Sequence, residues 1–454
     1  MNLREAALAV NGSTSQPDAV FSGVSTDSRS FKAGELFVAV KGAYFDGHNF
    51  VHDVLARGAA AVLVDRAWAD HCDGFLPLVI ADDTRLALGK LAAHWRSRFT
   101  MPLVGITGSN GKTTVKEMLA AIFRAHLGFD AVLATTGNFN NDIGLPLMLF
   151  KLRPEHRAAV IEMGMNHRGE IAYLTGIARP TVALVNNAQR AHLEGLGTLT
   201  DVARAKGEIF EGLAADGVAV INADDLHADL WRSLAAGWRQ LNFGIGATAE
   251  VSGRWMPSGF GSRLLATTPW GSTEVELMVP GEHNARNALA ALAAALVAGV
   301  PLTVAAQALA AYAGVKGRLQ RRDGVNGALI IDDTYNANPD SMRAALDVLA
   351  FVPGKRIFVM GDMGEVGDAA GQFHDEIGGY AKSQGVDLLL ALGDLSETAV
   401  GNFGGGGRHF KRLEDLVEAL KKELGAETTV LVKGSRFMGM ERVVEAIVEN
   451  NNVA

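Results

Sequence analysis

Apolar runs of strand length recur along the 454-residue chain, and what separates them changes in three steps. In residues 1–83 the runs "GELFVAVKG" and "AAAVLVD" sit between glycine-rich turns, with little long helical periodicity. That pattern predicts a small α/β domain. Residues 84–313 open on the helical spacing of "TRLALGKLAAHWRSRF". "PLVGI", "AAVIEMG", "TVALVNN" and "GVAVINADD" then read as strands, with helical stretches such as "DVARAKGEIFEGLAAD" between them. Apolar strands alternating with helices predict a mostly parallel sheet covered on both faces. Shorter alternating runs from Thr248 to Pro280 predict an antiparallel edge, and an Ala-rich helix from Asn284 closes the region. In residues 314–454 the strands "GALIIDD", "KRIFVMGDM", "VDLLLALG" and "TTVLVKGS" each precede a helical stretch. This predicts a second doubly wound, Rossmann-like sheet. Ligands of such sheets bind at the carboxyl ends of strands, where Asp332, Asp333, Asp362 and Lys433 fall.

The fold class predicted is therefore α/β in three domains, which a chain of this length requires for burial. Composition supports globularity: 48% hydrophobic and 20% charged. A formal net charge of −8 gives no pointer to nucleic acid or an anionic membrane. The single cysteine, Cys72, excludes an internal disulfide and a cysteine metal cluster, and fits a reducing, cytoplasmic setting. "MNLREAALAVNG" has no apolar run of signal-peptide length. "NALAALAAALVAGV", Asn287 to Val300, is too short to span a bilayer and is expected to be a buried helix. Three cores account for the apolar fraction, so a monomer is expected.

The chemistry centres on "VGITGSNGKTTVKEM". Gly111, Lys112 and Thr113 match the end of a Walker A loop, but the first glycine is displaced by one place: the spacing requires glycine at position 106, where Ile106 stands, and Gly105 comes one residue too early. The physics survives the displacement. Glycines let successive backbone N–H groups converge on phosphate at a helix N-terminus. Lys112 supplies a cation and Thr113 a hydroxyl for Mg²⁺. A dinucleotide fingerprint is excluded by the spacing of Gly105, Gly108 and Gly111. Glu162 ends a strand beside this loop, placed to hold Mg²⁺ or to cap a helix. His192 is either a metal ligand or a hydrogen-bonded imidazole. Lys206 lies on a predicted helix, ordinarily a solvated position. In "IIDDTYNANPDSM", Asp340 or Ser341 is expected to cap the next helix, leaving Asp333 and Tyr335 to face ligand. Lys433 and Arg436 in "VKGSR" suit an anionic group.

Together these stretches resemble the Mur ligase family over nearly the whole chain. The resemblance implies an N-terminal domain for a UDP sugar, a central ATPase domain and a C-terminal Rossmann-like domain. It makes Gly108, Ser109, Asn110, Gly111, Lys112, Thr113 and Thr114 the ATP loop. It places Asn284 and Asn287 of "GEHNARNALAA" toward the nucleotide, Arg318 of "KGRL" at phosphate and Asp333 near the ribose. Glu162 of "EMGMNHRGEI" and His192 of "NNAQRAHLEGLGT" become metal-linked with Thr113, and Lys206 becomes a carbamylated lysine that organises Mg²⁺. Lys112, Lys206, Arg318 and His192 are the expected catalytic set.

Within the family, "TTGNFNNDIGLPL" and "DDTYNANPDSM" match the branch that joins D-alanyl-D-alanine to UDP-N-acetylmuramoyl-tripeptide. "STDSR", "GELFVAVKG" and "DGHNF" point the same way. The Asp-Asn-Pro-Arg motif of the diaminopimelate-adding branch is absent. The expected substrate residues are Ser28, Asp46, Asn138, Asn141, Tyr335, Asn338, Lys433 and Arg436. The implied reaction consumes ATP through an acyl phosphate, under a C-terminal domain that closes over the cleft. Folylpolyglutamate synthase shares the ATP-loop chemistry, but the two motif stretches point away from it. A nucleotide-dependent scaffold would not need Lys112, Glu162, His192, Lys206 and Arg318 together.

Overall fold

The computed structural model describes residues 1–72 and 75–449. Three sheets follow one another along the chain. The first has five strands, with Leu36–Val38, Ala61–Asp65 and Leu78–Ala81 parallel and Ser13–Thr14 antiparallel at one edge. Its inner face packs against the helices Leu3–Val10 and Thr84–Arg96. Leu3, Leu36, Leu63, Leu88 and Leu91 are fully buried in a cluster that runs on into the central domain through Leu145 and Leu174. The helix Thr84–Arg96 starts at Asp83, whose carboxylate accepts from Arg85 N and Leu86 N.

The central sheet has nine strands. Val132–Ala134, Ala158–Glu162, Leu103–Thr107, Val182–Val185, Val218–Asn222 and Arg239–Gly244 run parallel in that spatial order. Leu103–Thr107 is buried at every position because helices cover both faces. The expected antiparallel edge is present as Val251–Ser258, Gly261–Thr268 and Gly271–Leu277. Its alternating burial shows one face packed and one solvated. The Ala-rich helix Glu282–Val297 is buried from Ala288 to Leu296 because it lies against the phosphate-loop helix Lys112–Leu127 and the sheet. Small side chains permit that close approach. Among the described residues no helix is long and apolar enough to cross a membrane.

The third sheet has six strands, five of them parallel. The four expected strands are Leu329–Asp333, Lys355–Gly361, Leu388–Leu392 and Thr428–Lys433. Two edges escaped the sequence pattern, Gln320–Asp323 and Gly407–Phe410, since each is only four residues and neither is fully buried. The helix Pro339–Ala350 begins on Asn338, not on Asp340 or Ser341. Asn338 accepts from Ser341 N and Ser341 answers at the Asn338 N–H, a capping box with proline at the first helical position.

Candidate active site

A cleft of about 1740 Å³ opens between the central and C-terminal sheets, at the carboxyl ends of their strands. The phosphate loop enters it after Leu103–Thr107. Gly111 has φ +79° and a Cβ there would lie 2.4 Å from Asn287 Oδ1 and 2.6 Å from Asn186 Nδ2. Gly111→Ala is therefore expected to cost about 1–3 kcal/mol of folding stability and to weaken nucleotide binding, by urea unfolding and ADP titration. Equal midpoints and affinities would reject this account of the glycine.

A belt of asparagines holds the loop from behind. Asn186 Nδ2 donates to Asn110 O (2.9 Å) and Asn287 Oδ1 (2.9 Å), and Asn287 Nδ2 donates to Asn284 Oδ1 (3.2 Å). Asn187 Oδ1 accepts from Asn110 N (2.8 Å). Ser109 Oγ bonds with both the carbonyl and the N–H of Gln189. Asn284 and Asn287 thus lie beside the loop, together with Asn186, Asn187 and Gln189, which the sequence reading did not single out. Their only signal was the polar run "NNAQ" after a buried strand.

Lys112 arches over the loop, its Nζ 2.6 Å from Gly108 O and 3.2 Å from Ser109 O. Burial pushes its pKa down, against the pull of Glu162. Thr113 Oγ1 donates to Glu162 Oε2 (2.9 Å) and accepts from Arg318 Nη2 (2.9 Å). Asn140, another residue the sequence reading passed over, donates to Glu162 Oε1 (2.9 Å). Thr114 is buried in the helix that follows the loop.

His192 has φ +59° and sets Nδ1 3.1 Å from Glu365 Oε2, across the domain junction. Burial lowers its pKa although Glu365 opposes the shift. Lys206 is 1% exposed. The solvated-surface reading of that helix position fails, because the helix Leu199–Gly207 turns its lysine inward. Its pKa falls well below the usual lysine range through burial first and the Lys112 charge second, with no carboxylate in opposition.

On the C-terminal side, the Arg318 guanidinium lies 4.2 Å from the Tyr335 ring centroid. Asn338 Nδ2 donates to Asn110 Oδ1 (2.8 Å) and Asn110 Nδ2 returns a bond to Asn338 Oδ1 (3.2 Å). Asp333 and Lys433 pair with each other at 2.6 Å, and Lys433 is 3% exposed. Desolvation raises the Asp333 pKa despite that cation. The pair braces two adjacent strand ends, and Lys433 also donates to Asn336 O. Arg436 is exposed and pairs with Glu441. Asn138 and Asn141 line the cleft, and Asn141 Oδ1 also accepts from Gly144 N at the start of the helix Gly144–Leu149. Ser28 and Asp46 lie outside its lining. Ser28 is buried with its carbonyl on Arg57, and Asp46 caps a short turn at His48.

Family models match all three parts of the chain: "Mur ligase family, catalytic domain" over residues 20–96, "Mur ligase middle domain" over 106–295 and "Mur ligase, glutamate ligase domain" over 317–436. The chain belongs to the Mur ligase family. It is 43% identical to the UDP-N-acetylmuramoyl-tripeptide–D-alanyl-D-alanine ligase of Escherichia coli (strain K12), over 97% of each chain. Its structure resembles MurF from Acinetobacter baumannii with TM-score 0.92 at 36% identity, covering 98% of each chain. It also resembles the MurF ligase of Thermotoga maritima in complex with ADP, with TM-score 0.83 at 28% identity over 93% of this chain and 96% of that one. The three-domain α/β architecture of the Mur ligases is thus the architecture of this protein.

Among the described residues no group of three or more histidine, cysteine or acidic side chains is placed to hold a metal. The donors present still fit Mg²⁺. Thr113 and Glu162 offer one hydroxyl and one carboxylate side by side, and Mg²⁺ takes few protein oxygens beside substrate phosphates and water.

Proposed function

We propose that this Mur ligase joins D-alanyl-D-alanine to UDP-N-acetylmuramoyl-tripeptide at the expense of ATP, forming the pentapeptide precursor of peptidoglycan. The observation that carries the reading is the full-length likeness to the Escherichia coli ligase of that name, together with a phosphate loop that faces the "YNANPDSM" motif across one cleft. The substrate carboxylate attacks the γ-phosphorus, and the bond to the ADP oxygen breaks. The amine then attacks the acyl phosphate carbonyl, loses its proton, and inorganic phosphate leaves.

The loop N–H groups and Lys112 neutralise charge on the phosphoryl oxygens in place of water. Thr113 and Glu162 would hold Mg²⁺, which when bound would add charge neutralisation during phosphoryl transfer. Arg318 reaches into the site from the C-terminal domain, so the phosphate is clamped only when the domains meet. Lys206 is carbamylated in this reading: its neutral amine attacks CO₂, loses a proton and becomes an anion that serves the metal site with His192. Asn284, Asn287 and Asp333 set the nucleotide side of the junction. Asn138, Asn141, Tyr335 and Asn338 border the acyl and amine ends, with Arg436 as the exposed cation for the dipeptide carboxylate. Ser28 and Asp46 belong to the domain that carries the UDP sugar. The domains divide at 83/84 and 313/314. Water exclusion at the junction protects the acyl phosphate from hydrolysis. All these groups come from one chain, which suits a monomer, and the ATP and UDP-precursor pools place the work in the cytoplasm.

The test is phosphate release from ATP and Mg²⁺ with the UDP-tripeptide, with and without D-alanyl-D-alanine, and mass detection of product. Dipeptide-dependent release with pentapeptide formed is the expected result. Turnover only with a free amino acid or a folate would reassign the substrate to another branch.

A further inference from the structure

Arg190 is held by three residues of the C-terminal domain, Asp340, Phe373 and Glu376. It lies between the strand Val182–Val185 and His192, in the loop whose Asn186, Asn187 and Gln189 hold the phosphate loop. Its backbone N donates to Asp340 Oδ2 (2.8 Å), and its Nε and Nη2 donate to Asp340 Oδ1 (2.9 and 2.7 Å). Nη1 and Nη2 also donate to Glu376 Oε2 and Oε1 (2.7 and 3.1 Å). The guanidinium lies 5.3 Å from the Phe373 ring centroid. Arg343 donates to the same Glu376 (3.0 Å), so the cluster is a network of two cations and two carboxylates. Asp340 stands in the first turn of the helix capped by Asn338, and Glu376 on the helix Ala370–Ser383.

An isolated exposed ion pair contributes little, whereas a bidentate guanidinium in a network with about a quarter of its side chain exposed contributes more. The placement matters as much as the number of bonds. The neighbouring junction contacts, Arg318 to Thr113, Asn338 to Asn110 and His192 to Glu365, are made by groups that face the cleft. Of the Arg190 network only Asp340 lines the cleft, while Arg190 and Glu376 lie outside its lining, so the two Arg190–Glu376 bonds are compatible with bound substrates.

We propose that Arg190 is a positioning residue: it latches the C-terminal domain to the loop that supports the phosphate loop, and thereby sets Asn338 and Arg318 in register with Asn110 and Thr113. This rests on the ligase reading for its kinetic consequence. The latch holds the amine-binding side against the acyl phosphate, so its loss exposes that intermediate to water.

The experiment compares wild type, Arg190→Ala, Arg190→Lys, Glu376→Gln and the Arg190→Ala/Glu376→Gln pair. Small-angle scattering reads domain separation without turnover, and kinetics read phosphate released per pentapeptide. Arg190→Ala is expected to enlarge the radius of gyration, raise KM for D-alanyl-D-alanine roughly tenfold and release phosphate in excess of product. Arg190→Lys recovers part of each effect. Glu376→Gln has a smaller effect on the Arg190→Ala background than alone, because its two bonds to Arg190 are already gone and only the bond to Arg343 is left to weaken. An unchanged scattering profile, or additive single effects with phosphate and product still equal, overturns the latch even if thermal stability falls. Absence of pentapeptide with wild type would overturn the ligase reading alone, since the scattering comparison stands without it.

Discussion

Lys112→Ala is expected to lower dipeptide-dependent phosphate release by roughly 10²–10³-fold without lowering folding stability. The two halves have one cause. The fold takes the Lys112 ammonium out of water, and its pKa is lowered as a result. A group whose charged form is disfavoured by folding contributes no charge-based stability at neutral pH; removing it relieves that burden. Its bonds to Gly108 O and Ser109 O aim the charge at the space the loop encloses. Lys112→Arg is expected to fail nearly as badly, because a planar fork does not fit where a point charge does. The measurements are phosphate release and a thermal melt on the same samples. Activity within about threefold of wild type would remove Lys112 from phosphoryl stabilisation.

Lys206→Ala and Lys206→Arg are each expected to lose more than about 100-fold in activity. The arginine variant is informative because it keeps the cation and cannot take up CO₂. Burial without a carboxylate partner lowers the Lys206 pKa and so favours the neutral amine, the form that attacks CO₂. The sign with pH follows. In the fold the amine releases its proton at lower pH than in the unfolded chain, so between the two pKa values the unfolded state binds more protons. Stability attributable to Lys206 therefore rises with pH through that window and falls on acidification. Carbamate is lost in the same direction, as the amine protonates. A ¹³C resonance from labelled bicarbonate, present in wild type and absent in Lys206→Ala, is the direct readout. Its absence in wild type, with Lys206→Arg fully active, would sink the carbamate.

The sequence by itself determined a large share of this protein. Local patterns write the three sheets: four C-terminal strands and the central parallel strands are continuous apolar runs, and the alternating stretch after Thr248 could bury only one face. The phosphate loop was legible because glycines before a lysine and a threonine have a local physical use, whatever the fold around them. Short edges such as Gly407–Phe410 left no trace, since four partly exposed residues carry no period. Lys206 shows most clearly what only tertiary structure decided. Its helix has an ordinary amphipathic sequence, and nothing in nine residues says that the lysine side faces inward beside another cation. Asn338 was legible as a polar position but not as the cap that also meets Asn110, 228 residues away. Arg190 sits in a loop where a lone arginine suggests solvent. Its five bonds exist because two sheets, each folded from its own local pattern, present their strand ends to one cleft. Strand periods and loop glycines are set by neighbours in sequence, whereas burial of charge and contact between domains depend on groups that only the folded chain brings together.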